Sequence, residues 1–176
     1  MVNGAVQVGT VRAITRFPVK SMAGEALDRV ELDHRGLVGD RVLALRTADG
    51  GLGSGKTSRR FRALPGLRLV QASTGPDGVV RLRLPDGRVL PALEADGVLS
   101  ELVGQPVSVV TEGAVSHFDE DGLHLVTTAS LRAVAGESGV AVDPRRTRAN
   151  FLLEVPGRRF AEDDWQGREL GVGSAT

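Results

Sequence analysis

The chain has 176 residues, enough for one domain or a domain with a small lobe and for an adequate core. Its 22 lysines and arginines balance 22 aspartates and glutamates, so no overall field draws it to nucleic acid or to a membrane surface. It has no cysteine, which excludes a disulfide frame, a thiolate metal site and a thiol nucleophile within this sequence. Aromatics at 3% are too few for a base-stacking platform.

The first ~110 residues read as short strands separated by turn signals, the pattern of an all-β sandwich or barrel. Val6 to Ile14 is the first strand. It runs into Arg16-Phe17-Pro18-Val19-Lys20-Ser21-Met22, where Pro18 fixes its own φ and biases Phe17 to an extended shape. The corner carries a cation and a hydroxyl, a pair suited to holding phosphate or carboxylate. Gly24 to Leu32 alternates as a strand, Leu37 to Arg46 holds the next, and Asp49-Gly50-Gly51 is a hairpin turn. Further strands are expected at Leu67 to Ala72, Val79 to Leu84 and Val89 to Leu93, with turns at Asp77-Gly78 and Asp86-Gly87.

Near Glu94 the texture changes. Ala95 to Val103 predicts a short helix closed by Gly104, and Val107 to Thr111 a strand. His117 to Asp121 reads as an exposed acidic loop; a hard-cation site there with His124 fits no tight spacing. After a strand at Leu123 to Val126, Thr127 or Thr128 caps a helix to about Ala135. Arg145 to Asn150 leads into an apolar strand at Phe151 to Leu153, and Glu162 to Trp165 reads as a turn or helix start with Trp165 on the core. The tail Gly171 to Thr176 ends where another strand is expected to begin.

Gly50-Gly51-Leu52-Gly53-Ser54-Gly55-Lys56-Thr57 matches the phosphate-binding loop pattern at every required position. A strand precedes it, but Thr57 to Ala63 makes a poor helix and no βαβ alternation surrounds it. The loop therefore reads as a glycine-rich hairpin with exposed basic residues. An anion near Lys56, Thr57 and Arg59 is an intermediate reading, and nucleoside triphosphate binding at Gly50 to Thr57 a minor alternative. No Ser/His/Asp arrangement is legible from spacing, and no metal-ligand set is assigned.

Basic and hydroxyl side chains gather at element ends: Lys20, Ser21, Arg41, Thr57, Thr128, Ser130, Arg148 and Asn150. These eight are the candidate binding residues for an anionic cofactor, and no catalytic residue is assigned. The order of motifs is what resembles a known family. Phe17 to Met22, Gly36 to Arg41 and Thr57 to Leu67 resemble the N-terminal β-barrel of MOSC (molybdenum cofactor sulfurase C-terminal) proteins. Leu125 to Leu131, Arg146 to Phe151 and Phe160 to Trp165 resemble the MOSC domain itself.

The resemblance implies a mainly β (α+β) fold with a few short helices. Residues 1–94 would form the N-terminal barrel lobe, and residues 95–176 a MOSC β-barrel core lacking the usual C-terminal cysteine segment. It implies the molybdenum cofactor (molybdopterin) between the two. Lys20 and Ser21 would then contact it from the barrel, with Arg41 and Thr57 lining the cleft. Thr128 and Ser130 would offer donors at the helix start, and Arg148 and Asn150 would close on the pterin or its phosphate. By similarity to amidoxime-reducing components, the activity would be reduction of N-hydroxylated small molecules fed by a separate electron-transfer partner, or carriage of sulfur or cofactor. The resemblance also associates the chain with pyridoxal phosphate. In the family a cysteine downstream of the acidic-Trp motif ligates molybdenum or carries sulfur. Its absence leaves two expectations open: a longer parent protein, or a cysteine-free branch binding another anionic metabolite or catalysing a metal-free biosynthetic step. Nucleic acid and membrane partners are not expected, the location is expected to be cytoplasmic, and a homo-oligomer stays open.

Overall fold

The computed structural model describes residues 6–157 and 159–174. The outer limits of both expected regions, and the last two residues of the glycine-rich tail, lie outside the described residues.

The fold is mainly β. β1 (Thr10–Arg16), β2 (Glu25–Leu27), β12 (Leu125–Thr127) and β13 (Phe151–Glu154) form one sheet in the order β12-β13-β1-β2. β5 (Leu43–Thr47), β6 (Leu52–Ser54), β7 (Phe61–Ala63) and β11 (Val107–Thr111) form a second, ordered β11-β5-β6-β7. β8 (Gln71–Thr74), β9 (Val80–Arg83) and β10 (Val89–Pro91) make a meander, and β3 (Leu32–Asp33) pairs with β4 (Gly36–Leu37). Each sheet is open rather than closed into a barrel. Because β11 pairs with β5, and β13 with β1, strands from both sides of position 94 share sheets.

The largest core lies between the second sheet, the meander and helix α1 (Asp96–Val103), around Val19, Met22, Leu45, Leu82 and Leu99. Gly104 closes α1 in the left-handed region at φ 73°, as its lack of a Cβ allows. A smaller core sits on the first sheet around Leu37, Phe151 and Leu153, with Trp165 packed against it. Helix α2 (Thr128–Ser138) begins at Thr127, whose hydroxyl accepts the Ser130 amide at 3.1 Å.

The first strand begins at Thr10 rather than Val6, and Val6 is exposed. Leu67–Leu69, expected as strand, is a 3-10 turn entered through Gly66 at φ 87°, so pairing starts only at Gln71. The glycine-rich motif is divided: β6 occupies its middle, and the segment after it reaches β7 without a helix. The amides of Gly50, Gly51 and Leu52 are bonded to Thr47, Asp49 and Arg60, so they are not free to cradle phosphates. No described helix is long and apolar enough to cross a membrane.

Candidate functional site

The proline corner docks sideways on the edge of β5. Lys20 N donates to Leu43 O at 2.8 Å, Leu43 N to Pro18 O at 3.1 Å, and Arg41 N to Phe17 O at 2.7 Å. Asp40, fully buried, accepts the Phe17 amide at 2.6 Å and pairs with the Arg41 guanidinium. A buried carboxylate is tolerable only with such partners, so Asp40 fixes the corner and the arginine against each other.

Opposite stands the segment between β11 and β12. Gly36 and Gly122 pass so closely that a Cβ on either would collide with the other's neighbouring backbone, which brings residues 119–124 onto the 36–41 turn. The resulting cleft of about 360 Å³ is lined on one side by Lys20, Ser21, Arg41 and Arg148, and on the other by Asp119, Glu120 and Asp121, with Leu123, His124 and Thr147 completing it.

Lys20 is 3% exposed; its ammonium lies 4.5 Å from the centroid of the Phe61 ring and donates to Asp119 Oδ1 at 3.0 Å. Burial pulls its pKa below the ordinary lysine value, against the opposing bond and charge of Asp119. Burial pushes Asp119 upward, but the Lys20 hydrogen bond and the charges of Lys20, Lys56 and Arg41 together hold it below the usual carboxylate value. Arg148 stacks 4.3 Å from the Phe17 centroid and donates to Met22 O. Burial, then the charge of Arg41, lowers its pKa to about 10. Its Nη2 is buried without a hydrogen-bond partner.

Ser21, Arg41 and Arg148 adopt φ of 66°, 51° and 54°, three of the four non-glycine residues described in the left-handed region. Such a backbone costs on the order of 1–3 kcal/mol each and concentrates at ligand clamps. Here it aims three cleft side chains from three loops into one space.

Of the eight residues expected from sequence, the structure brings Lys20, Ser21, Arg41 and Arg148 together and places the others elsewhere. Thr57 is exposed and accepts the Ala63 amide at 3.2 Å. Ser130 is buried between Thr127 and the Phe160 amide. Thr128 is half-buried with its hydroxyl unpartnered, but does not line the cleft. Asn150 is wholly buried; its amide donates to Thr15 O and accepts the His124 amide, joining β1 to the β12 approach.

The acidic loop is exposed at Asp119, Glu120 and Asp121 as expected, and is corrected at its first two residues. His117 and Phe118 are buried at 1% and 7% exposure, because His117 Nδ1 bonds Arg41 O at 3.0 Å and Phe118 packs beneath Arg35 and Arg41. Asp119 turns onto Lys20. An aromatic side chain inside the acidic run was the one sequence signal of that burial. Sequence reasoning missed Asp40 as a fixing group and His124 and Thr147 as lining; Asp40 lies within the Gly36 to Arg41 motif and was readable as a partner for Arg41. No group of three His, Cys, Asp or Glu that could hold a metal ion occurs among the described residues.

Chemically, the cleft sets three cations, one with an unspent N–H, beside hydroxyls and an imidazole, and faces them with the carboxylates of Asp119, Glu120 and Asp121. The cationic and hydroxyl side of that set has the chemistry for charge-assisted bonds to an oxyanion. Asp119 already sits on the lysine. In comparison with known families, residues 8–120 match the model of the MOSC N-terminal beta barrel domain. No curated protein matches the chain.

Proposed function

This chain belongs to the MOSC N-terminal beta barrel family, and on that premise we propose that its cleft binds the phosphate-and-pterin part of a molybdenum cofactor. The observation that carries the reading is Arg148 Nη2, a buried guanidinium nitrogen without a partner beside Lys20 and Arg41. An unsatisfied buried donor costs about 1–3 kcal/mol, and a phosphate oxygen would remove that cost. Lys20 and Arg148 would hold the phosphate, while Ser21, Thr147 and His124 offer hydrogen bonds to a polar ring.

The residues fit the anionic arm of that group. They do not supply a thiolate, because the sequence has none, so no protein ligand to molybdenum is assigned among them. When bound, the cofactor would supply two-electron chemistry such as removing oxygen from an N-hydroxylated base. The protein's own part is to neutralise the phosphate and fix the ring. Asp119 must yield Lys20 to the incoming anion, which makes it a competing carboxylate within the site.

The test is purification from a cofactor-producing host, followed by pterin fluorescence after oxidation and molybdenum analysis. Near-stoichiometric pterin in the unaltered protein, lost in Lys20→Ala and Arg148→Ala, supports the reading. Folded protein free of pterin overturns it. Reduction of benzamidoxime with a reconstituted electron donor separates a reductase from a carrier.

A further inference from the structure

A second cleft lies on the far side of the buried histidine. It has a volume of about 230 Å³, and its charged lining is Arg46, Arg59, Arg60, Arg62 and Asp49, with His117 as buried wall. Four guanidiniums against one carboxylate is a concentrated excess in a chain of zero net charge. Two of the four are committed. Arg62 pairs with Asp49 at 2.6 Å, and Arg60 donates to Ser116 O at 2.6 Å. The guanidiniums of Arg46 and Arg59 have no hydrogen bond or ion pair among the described residues.

His117 supplies the second observation. Its Nδ1 faces the Arg41 carbonyl, which can only accept, so Nδ1 carries the ring proton. Nε2 is then a lone-pair acceptor, and it is buried without a partner. A hydroxyl-free anion would meet that lone pair with repulsion; an anion carrying an O–H would satisfy it.

We propose that this second cleft binds a phosphate dianion that also carries an O–H, meaning hydrogenphosphate or a small phosphate ester with an alcohol hydroxyl. Arg46 and Arg59 hold its oxygens, and its O–H is given to His117 Nε2. The cleft is smaller than the ~300–1,000 Å³ of ordinary ligand pockets, so the guest is phosphate-sized rather than a nucleotide. The site is independent of the cofactor reading, since none of its charged lining belongs to the first cleft.

Calorimetry at about pH 8 separates the cases, because phosphate and sulfate are then both mainly dianions and only phosphate keeps an O–H. Titrations use the full chain carrying Lys20→Ala, which weakens the first cleft, and the Arg46 and Arg59 variants below assign the binding that is left. Inorganic phosphate is expected to bind at least about tenfold more tightly than sulfate. Arg46→Glu with Arg59→Glu is expected to weaken phosphate by about tenfold or more, and His117→Gln to erase the preference over sulfate. Glycerol 3-phosphate binding more tightly than phosphate identifies an ester as the guest; weaker binding identifies the free ion. No phosphate binding, equal affinity for the two anions, or an unchanged affinity in the double-glutamate variant overturns the proposal. The arginine pair is on the surface, so this arm stands if His117→Gln fails to fold.

Discussion

Lys20 and Lys56 approach the same two groups, the ring of Phe61 and the carboxylate of Asp119. Lys20 is 3% exposed, 4.5 Å from the ring centroid and 3.0 Å from the carboxylate. Lys56 is 61% exposed, at 5.4 Å and 3.9 Å. The first sits on a backbone pinned by β5 and Asp40; the second rides an irregular segment beyond β6. Water screens Lys56 and lets it move, so its charge contributes little to affinity. Lys20 has shed most of its water, and its charge acts at full strength on whatever replaces Asp119. The motif that matches a known pattern letter by letter thus holds the weaker cation, and a short proline corner holds the stronger.

The sharpest way to break this contrast is to loosen the pinning. Asp40→Ala should lower stability by about 3–5 kcal/mol in urea denaturation, because it leaves the Arg41 guanidinium and the Phe17 amide without their buried partner. Lys56→Ala should stay within about 0.5 kcal/mol of the unaltered protein. Next in size is ligand retention: Lys20→Ala should cut it by about tenfold or more, while Lys56→Ala leaves it within about twofold. Equal losses would show that burial does not distinguish the two lysines.

Acid should weaken the fold before it reaches the carboxylates. Burial lowers the pKa of His117, and burial together with the Arg41 charge lowers that of His124. The unfolded chain therefore binds protons that the folded chain refuses. Stability is fully present above the unfolded value of about 6.5 and declines as pH falls through it towards the folded values. A urea midpoint that does not drop between about pH 7 and 5 would contradict this, and His117→Gln with His124→Gln should flatten the slope. Asp119→Asn should raise affinity for an anionic guest several-fold by removing the carboxylate that pairs with Lys20, seen as a lower Kd in direct titration. The smallest effect belongs to Ser21→Gly. It relieves a φ of 66° at the cost of one 3.3 Å bond to Gly53 O and should stabilise the fold by no more than about 1 kcal/mol.

Much of this was legible from residue order. The β11 strand, helix α1 with its glycine stop, the Thr127 cap and the Lys20 corner follow from local chemistry that tertiary packing reinforces. The left-handed backbone at Ser21, Arg41 and Arg148 was not legible, because no residue type there announces it; contacts from distant segments impose it. Asn150 has the right chemistry for a ligand contact, but its amide is spent on Thr15 and His124. His117 and Phe118 hide within an acidic run whose charge pattern reads as solvent-facing, although both are buried and His117 lines the second cleft.

The pairing of β1 with β13 has a consequence for biosynthesis. Residues 10–16 leave the ribosome early and must wait for residues 151–154 before their sheet can close. Lys20 and Arg41 likewise wait for Arg148, which emerges more than 100 positions later. Throughout that interval the nascent polypeptide displays a β-prone segment with an unmatched edge, a hazard for association with neighbouring chains. The cleft is among the last features to assemble, so any product of premature termination before Arg148 lacks it.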